Sequence, residues 1–253
     1  MQEKGLSLPA VILAGGLGTR LRSAYSAGPK SMAPVGQRPF LDYLLTWLQR
    51  EGVEEVILCV GYKKSHIQRF VGRGGKWGMS VKYSAETKLL GTGGALKKAE
   101  RLIPGKTVLV VNGDTFVDVS LGDLMKFHRS RRASATLAAI SVADRSRYGS
   151  LCLDERSRIT AFLEKSGRYG DVGSEKKKRY VNGGVYILDL KVISKIHNRA
   201  PVSLEKEVFP LLLAENSVYG FKSDAYFLDI GVPEDLRRAQ RELPQRIRIS
   251  HPR

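Results

Sequence analysis

A glycine-rich segment and two cations follow the first apolar run of the chain. Residues 10–13 are apolar and predict a buried strand, and three glycines follow within 15–18. Glycine has no Cβ and tolerates a positive φ, so a polyphosphate can lie close to the backbone N–H groups. Arg20 offers a fork of donors for phosphate oxygens, and Lys30 offers a mobile positive charge. The segment predicts a binding site for the phosphates of a nucleoside triphosphate.

This segment differs from two other phosphate-binding loops. A dinucleotide fingerprint needs G-x-G-x-x-G, but the run 16–21 reads GLGTRL and lacks the third glycine. The G-x-x-x-x-G-K-[ST] pattern of a P-loop does not occur in the sequence. The remaining alternative is a glycine turn after a strand that binds no ligand.

A carboxylate follows the most apolar predicted strand. Residues 108–111 (VLVV) run directly into Asn112, Gly113 and Asp114. In an open parallel sheet, ligands bind beyond the carboxyl ends of the strands. Mg²⁺ takes one or two carboxylates and completes its shell with water and phosphate oxygens. Asp114 is therefore a candidate magnesium ligand, and the alternative is a turn aspartate after a glycine.

Alternating strands and helices must position these groups. Strand 10–13, helix 39–51 and strand 56–60 predict a right-handed parallel crossover. The pattern indicates an α/β class with a Rossmann-like, mostly parallel sheet flanked by helices. Further strands are predicted at 81–84, 108–111, 135–142, 150–154, 159–164, 180–188 and 226–228, and further helices at 65–71, 95–102, 121–131, 203–214 and 234–241.

The second half of the chain departs from strict alternation. Strands 150–154 and 159–164 flank a turn and predict a hairpin, hence a smaller antiparallel subregion. Glycines 183–184 interrupt the strand 180–188. Such an interruption marks either a close approach by a ligand or a bulge. In the first case Asn182 would contact a hydroxyl group of a sugar, and in the second its side chain would satisfy the local backbone. The residues leave both interpretations open.

The charge of the chain suits an anionic partner. Its 253 residues carry a formal net charge of +17, and 42% of them are hydrophobic. The densest basic runs, 129–132, 176–179 and 246–253, lack interleaved aromatic residues. We therefore interpret them as solvated faces and predict no nucleic-acid partner. We expect a single domain, 1–253, that ends in a basic tail at 244–253.

The length of the apolar runs and the spacing of the cysteines indicate where the protein is located. The longest apolar runs span four or five residues, so no membrane insertion is expected, and residues 1–9 lack the apolar core of a secretory signal. Cys59 and Cys152 have no metal-ligand spacing and are predicted to be buried free thiols. These features favour the cytoplasm.

Several motifs carry a resemblance to a known family. The stretches 13–22 (LAGGLGTRLR), 28–34 (GPKSMAP) and 39–41 (PFL) resemble the signature of sugar-1-phosphate nucleotidyltransferases. Three further stretches, 91–95 (GTGGA), 111–116 (VNGDTF) and 227–235 (FLDIGVPED), most resemble the D-glycero-D-manno-heptose 1-phosphate guanylyltransferases. The resemblance covers residues 10–242.

The resemblance implies an enzyme that joins a sugar 1-phosphate to GTP, giving a GDP-sugar and pyrophosphate for bacterial capsule or lipopolysaccharide synthesis. The implied sugar is D-glycero-D-manno-heptose 1-phosphate. Mannose-1-phosphate guanylyltransferase and hexose-1-phosphate thymidylyl- or uridylyltransferase are alternatives. A non-catalytic nucleotide-binding module is an alternative from another class. The implied partners are therefore small-molecule substrates, and the oligomeric state, which could be a homodimer, stays open.

The resemblance also assigns residues. It implies a nucleotide-binding half at 10–115 and a sugar-binding half at 116–242. The nucleotide is expected on Leu13, Ala14, Gly15, Gly16, Gly18, Thr19, Arg20, Lys30, Glu86, Gly91, Thr92, Asn112 and Gly113. The sugar phosphate is expected on Gly149, Glu164, Lys165 and Asn182, and Mg²⁺ on Asp114 and Asp229. The implied catalytic set is Arg20, Lys30, Asp114, Lys165 and Asp229.

Overall fold

The computed structural model describes residues 8–142, 148–163, 179–199, 201–215 and 217–247. The strands are β1 (Ala10–Leu13), β2 (Pro34–Val35), β3 (Arg38–Pro39), β4 (Glu55–Val60), β5 (Ser80–Ala85), β6 (Thr107–Asn112), β7 (Thr115–Val117), β8 (Ala135–Ile140), β9 (Ser150–Leu153), β10 (Ile159–Leu163), β11 (Arg179–Asp189), β12 (Val218–Ser223) and β13 (Phe227–Asp229). The α-helices are α1 (Phe40–Arg50), α2 (Lys64–Val71), α3 (Gly91–Ala99), α4 (Leu121–Arg131), α5 (Leu190–Ser194), α6 (Phe209–Leu213) and α7 (Pro233–Arg246). Single 3-10 turns lie at Thr19–Leu21, Lys30–Met32, Gly75–Trp77 and Glu100–Leu102, and a π-helical turn lies at Leu204–Val208.

A nine-stranded mixed sheet forms the centre of the molecule. Strands β6, β1, β4 and β5 lie side by side and parallel, which confirms the predicted parallel crossover. Beyond β6, strand β11 runs antiparallel to β6, β8 and β9, while β12 is parallel to β8 and β10 is antiparallel to β9. Among the described strands of this sheet, only β10 and β11 oppose the common direction. The predicted α/β fold, with its mostly parallel sheet and smaller antiparallel region, is confirmed.

Helices cover both faces of the sheet because alternate strand residues point to opposite sides. In β1, Ile12 joins the hydrophobic cluster that packs against α1, α2, α4 and α7. Its neighbour Val11 joins the second cluster, which packs against α3, α5 and α6. Within the described ranges, no helix is long and apolar enough to cross a membrane.

Strand β11 carries two partners on one edge and leaves a gap between them. Val181 pairs with both β8 and β9, so these two strands lie on opposite edges of β11. Residues 186–188 pair with both β8 and β6, which places β6 on the same edge as β9. On that edge, no ladder pairing joins residues 182–184 to either strand. The carboxyl end of β6 therefore faces an opening in the sheet.

Strand β13 was predicted as 226–228, and the structure places it at Phe227–Asp229, outside the main sheet. It pairs antiparallel with the short strand β7, and Asp229 lies opposite Thr115. The sequence did not predict β7, which has three residues. This pairing brings Asp229 close to the end of β6, although the two segments lie more than a hundred residues apart in the chain.

Strand β12 and helix α5 were also not predicted from the sequence, like the two-residue strands β2 and β3. Strand β12 (VYGFKS) contains a glycine and a lysine that obscure its alternation. An added Cβ at Gly220 would lie 2.5 Å from Leu153 Cδ2, so a larger residue there would require the Leu153 side chain to shift. Helix α5 has five residues, which is too short for a periodic apolar pattern.

The two cysteines differ in burial. Both are free thiols, but Cys59 is buried and Cys152 is half-buried, so the predicted burial is wrong for Cys152. Burial raises the pKa of the Cys59 thiol to about 12, with a further contribution from the Glu86 charge.

The closing helix is longer than predicted. We expected a helix at 234–241 and a tail from 244, but α7 continues to Arg246 with Pro244 inside it. Leu243 and Ile247 are buried in the first core cluster, and this burial stabilises the last turn. The tail prediction is therefore wrong for residues 244–247, and 248–253 lie outside the described residues.

We predict that Leu243→Ala lowers the free energy of unfolding by about 2–5 kcal/mol, because it removes a fully buried side chain and leaves a cavity. The measurement is denaturant unfolding. Arg241→Ala, at an exposed position of the same helix, is the control and should change stability by less than about 0.5 kcal/mol. Equal effects for the two variants would show that the end of α7 does not pack.

Candidate active site

Two clefts open at the carboxyl end of β6. The first has a volume of about 360 Å³ and the second about 490 Å³. Arg20, Asn112 and Asp114 line both clefts. Volumes of this size suit small organic ligands. The arrangement places two ligand-sized spaces on either side of one cation, one amide and one carboxylate.

The structure gathers the predicted residues into these clefts. Every residue predicted to bind the nucleotide lines the first cleft. Gly149, Asn182 and Asp229 line the second. Glu164 and Lys165 lie outside the described residues. The roles of all these residues stay predictions.

The sequence missed several residues that line the clefts. Ser31 lies in the first cleft, and Tyr148, Ser150 and Glu205 lie in the second. Tyr148 adjoins a predicted glycine, which was a usable signal. Ser150 and Glu205 gave no such signal, because isolated serine and glutamate residues are common at protein surfaces.

Lys30 lies between two carboxylates. Its Nζ is 2.6 Å from Asp114 Oδ2 and 3.4 Å from Asp229 Oδ1. The Lys30 side chain is only 11% exposed. Burial alone would raise the pKa of Asp114, but the charge and hydrogen bond of Lys30 outweigh it and hold that pKa below its ordinary value.

Backbone pairing explains why these three groups meet. Asp114 follows the end of β6, and the β7–β13 pairing brings Asp229 beside Thr115. The Ile230 N–H donates to the Asp114 carbonyl at 3.0 Å, which fixes the two segments to each other. The convergence of Asp114 and Asp229 therefore depends on main-chain hydrogen bonds as well as on the attraction to Lys30.

The carboxylate pair fits a magnesium ion. Two carboxylate oxygens within reach of one ammonium group mark a position where a cation is stabilised, and hard oxygen ligands are those that Mg²⁺ prefers. No group of three or more His, Cys, Asp or Glu that could hold a metal occurs in the described part of the chain. A two-carboxylate site of this kind leaves coordination positions for water and phosphate.

The three glycines of the first segment have different functions. Gly18 has a φ of +58° and precedes the 3-10 turn that carries Arg20. Gly15 lacks the Cβ that would collide with the Glu86 carboxylate. Around Gly16 there is open space, so the structure itself does not demand a glycine there. Gly16 lines the first cleft, and the space beside it is available to a ligand.

Glu86 lies in a slot between two glycines. An added Cβ at Gly61 would stand 2.6 Å from Glu86 Oε1, and one at Gly15 would overlap the same oxygen. Glu86 Oε2 is buried and has no hydrogen-bond partner among the described residues. Burial raises the pKa of this carboxyl, opposed by a hydrogen bond from the Leu90 backbone and by the Lys98 charge. The carboxylate is held in place with one acceptor oxygen unused.

The 91–94 segment differs from its prediction. The helix was expected from residue 95, with free N–H groups before it, but α3 already begins at Gly91. The N–H groups of Gly93 and Gly94 donate to the Val202 carbonyl at 2.9 and 3.3 Å. Gly91 has a φ of +73°, and an added Cβ there would overlap the Val202 backbone. These N–H groups are therefore occupied, and the segment is clamped against residue 202.

The glycine interruption in β11 is a bulge. The register with β8 shifts between Asn182 and Tyr186, and Gly184 has a φ of +69°. The Gly184 N–H donates to Asn182 Oδ1 at 3.1 Å, so the side chain satisfies the local backbone. Asn182 also lines the second cleft. Its contact with a bound hydroxyl group stays a prediction.

Comparison with known proteins identifies related sequences and structures. The nucleotidyl transferase family profile matches residues 9–246. A D-glycero-alpha-D-manno-heptose 1-phosphate guanylyltransferase from Aneurinibacillus thermoaerophilus is 41% identical over 236 residues, which are 93% of this chain and 98% of that protein. A mannose-1-phosphate guanylyltransferase from Mycobacterium tuberculosis is 37% identical over 236 residues, which are 92% of this chain and 64% of that protein. The crystal structure of HddC from Yersinia pseudotuberculosis complexed with GMP-PN superposes with a TM-score of 0.77 at 32% identity, covering 92% of this chain and 98% of HddC.

We predict that Lys30→Met raises the pKa of Asp114, because the effect of burial remains while the Lys30 charge and hydrogen bond that lower this pKa are lost. The measurement is an NMR titration of ¹³C-labelled aspartate carboxyl groups. Lys126→Met is the control, since that side chain is 82% exposed and lines neither cleft. An Asp114 pKa that does not change in Lys30→Met would contradict the electrostatic role of Lys30.

Proposed function

This chain belongs to the nucleotidyl transferase family, as its sequence signature suggested, and we propose that it is a guanylyltransferase joining GTP to a sugar 1-phosphate with release of pyrophosphate. The observation that carries the proposal is the pair of clefts that share Arg20, Asn112 and Asp114. The nucleotide would occupy the first cleft and the sugar 1-phosphate the second. The reacting phosphorus would then lie at their junction.

The reaction makes few demands on protein acids or bases. A sugar 1-phosphate is already an anion at neutral pH, so its oxygen can attack the α-phosphorus without deprotonation. The new oxygen–phosphorus bond forms as the bond to the β-phosphate oxygen breaks, and the electron pair leaves with pyrophosphate. The main barrier is the repulsion between two polyanions, which positioning and positive charge lower.

The cations of the site match that task. Arg20 would bind the leaving β- and γ-phosphates, and Lys30 would lie near the α-phosphate. Lys165, outside the described residues, is proposed to hold the incoming sugar phosphate. Asp114 and Asp229 would hold Mg²⁺, and binding of a phosphate to Lys30 would weaken the ion pairs that this lysine makes with them. When bound, the metal ion supplies charge that offsets the repulsion between the reacting phosphates.

Glu86 supports the choice of guanine. The Watson–Crick edge of guanine presents two adjacent donors, N1–H and N2–H, and an ionised carboxylate only accepts. Adenine and cytosine each pair one donor with one acceptor on that edge, which a carboxylate satisfies only in part. The unused Oε2 of Glu86 and its fixed slot therefore favour a base with two donors.

The sugar is proposed to be D-glycero-D-manno-heptose 1-phosphate, after the relative of that name that this chain matches over nearly its full length. Mannose 1-phosphate is the second candidate, because the mannose-1-phosphate guanylyltransferase is nearly as similar. Gly149, Asn182 and Glu164 would contact the sugar. The corresponding process would be synthesis of a bacterial surface polysaccharide in the cytoplasm, with no nucleic acid involved.

The experiment that tests the proposal is an assay of pyrophosphate release with Mg²⁺. GTP, dTTP, UTP, CTP and ATP are each combined with heptose, mannose and glucose 1-phosphate. We expect release with GTP and the heptose substrate. Release with another pair would replace the proposed substrates, and GTP binding without release for any pair would indicate a binding module.

We predict that Glu86→Gln lowers kcat/KM for GTP by about 10- to 100-fold, as expected for loss of a hydrogen bond to a charged acceptor. Glutamine offers one donor and one acceptor, so use of UTP and dTTP should rise relative to GTP. The measurement is the kcat/KM ratio between nucleotides with one sugar 1-phosphate. The side chains have nearly the same size, so the slot between the glycines is preserved.

The matched control is Glu55→Gln. Glu55 is a half-exposed glutamate at the start of β4, paired with Lys82 at 3.6 Å. This variant should leave the nucleotide preference unchanged. If Glu86→Gln also keeps the GTP preference of the wild type, Glu86 does not read the base.

A further inference from the structure

Tyr186 places a hydroxyl group in the core between the two clefts. The residue is fully buried, and its ring packs edge-on against Phe209 with centroids 5.2 Å apart. Its hydroxyl oxygen is 3.2 Å from Glu205 Oε1, 3.0 Å from Asn182 Nδ2 and 3.5 Å from Asn112 Nδ2. Burial raises the pKa of Tyr186 well above its ordinary value, and the Glu205 charge adds to that effect, so the hydroxyl keeps its proton.

The direction of each hydrogen bond follows from the donor inventory. A tyrosine hydroxyl has one proton and two acceptor positions, and an ionised carboxylate only accepts. The proton therefore goes to Glu205. Asn112 and Asn182 must then donate through their amide nitrogens, which fills both acceptor positions of Tyr186. This fixes the orientation of both amides.

The orientation of Asn112 leaves its oxygen without a partner. Asn112 Oδ1 is buried and makes no hydrogen bond within the described residues, and Asn112 lines both clefts. An unpaired buried acceptor costs about 1–3 kcal/mol, so an unpaired oxygen on a residue that lines both clefts points to a donor supplied by a ligand. The bulge in β11 makes room for this amide, because an added Cβ at Gly184 would stand 2.9 Å from Asn112 Nδ2.

The Glu205 carboxylate is held in part by Thr92, a residue of the first cleft. Its Oε2 accepts from Thr92 Oγ1 and from Ser203 Oγ, each at 3.0 Å. Thr92 Oγ1 in turn accepts from the Leu204 N–H at 2.8 Å. Thr92 lines the first cleft and Glu205 the second. The hydrogen-bond chain from Thr92 through Glu205 and Tyr186 to Asn112 therefore joins the walls of the two clefts.

We propose that Tyr186 and Glu205 are positioning residues that hold the Asn112 amide so that its oxygen accepts a hydrogen bond from a substrate hydroxyl group. A phosphate oxygen cannot donate this bond, whereas the ribose of the nucleotide and the sugar ring both carry hydroxyl groups. The inference rests on the proposed function and deepens it, since it assigns the contact at the junction of the clefts. Asn112 makes the contact, and the other two residues act through it.

The test is a double-mutant cycle with Tyr186→Phe and Asn112→Ala. Tyr186→Phe removes the hydroxyl and keeps the ring that packs on Phe209. We expect each single variant to lower kcat/KM about tenfold, as for loss of one hydrogen bond, and the double variant to be no worse than Asn112→Ala. Additive losses would overturn the proposal, because a purely structural role of Tyr186 does not depend on Asn112. Tyr219→Phe, a half-exposed tyrosine on the edge strand β12, is the control and should retain wild-type kinetics.

Substrate analogues identify the donor hydroxyl group. The wild type and Asn112→Ala are compared with 2′-deoxy-GTP, 3′-deoxy-GTP and a 2-deoxy sugar 1-phosphate. The analogue that lacks the donor should lower kcat/KM of the wild type about tenfold and that of Asn112→Ala hardly at all. If Asn112→Ala responds to every analogue as the wild type does, Asn112 does not bind a substrate hydroxyl group at these positions and the proposal fails.

The proposed function and this inference fail in different ways. If the wild type releases no pyrophosphate with any substrate pair, the proposed function is wrong. The same cycle is then measured on the dissociation constants for GTP and for each sugar 1-phosphate by calorimetry. Coupling between Tyr186 and Asn112 in one of those constants would uphold the network, and its absence in all of them would overturn it.

Discussion

The ion triplet of Lys30, Asp114 and Asp229 is the contact on which the rest of the site depends. Asp114 lies 84 residues and Asp229 lies 199 residues after Lys30 in the chain, so no local segment can form this triplet. The 3-10 turn Lys30–Met32 positions the lysine, the end of β6 positions one carboxylate, and the pairing of β13 with β7 positions the other. The two carboxylates are stabilised close together by a cation, and they hold that cation at the junction of the two clefts. A phosphate-bearing ligand finds there a positive charge that is already desolvated.

The gap on the edge of β11 explains why the clefts meet at this place. Strands β6 and β9 share that edge, and no ladder pairing joins residues 182–184 to either of them, so the sheet itself opens beside Asn112. Ligands of open α/β sheets bind beyond the carboxyl ends of the strands, and β6 ends at this opening. The bulge at Gly184 allows the side chain of Asn112 to enter the space. The bulge in β11 therefore lies at the opening in the sheet and also makes room for the side chain of Asn112.

Local sequence patterns predicted where the glycine-rich segment, the parallel strands and Asp114 lie, because each depends on residues close together in the chain. The partners of those residues came from elsewhere. Nothing near Gly93 indicated that the Val202 carbonyl would take its N–H group, and nothing near Glu205 indicated that it would meet Tyr186. The end of α7 was mispredicted for a related reason: Pro244 suggests a break, but burial of Leu243 and Ile247 against the core outweighs that preference. Tertiary contacts decided these three cases, whereas α5 was missed because it is too short to show a periodic pattern.

The clamp between Val202 and the 91–94 segment has a consequence for protein engineering and for divergence within the family. Because Gly93 and Gly94 donate to residue 202, and Thr92 bonds to both Leu204 and Glu205, the wall of one cleft is shaped by residues of the other. A 91–94 segment transplanted from a relative would arrive without the 202–205 segment that matches it. Wherever the two segments no longer fit, its own N–H groups and the Glu205 carboxylate would lose their partners. If the clefts bind the nucleotide and the sugar as proposed, these contacts would couple the two preferences, and recombination between relatives would have to exchange both segments at once.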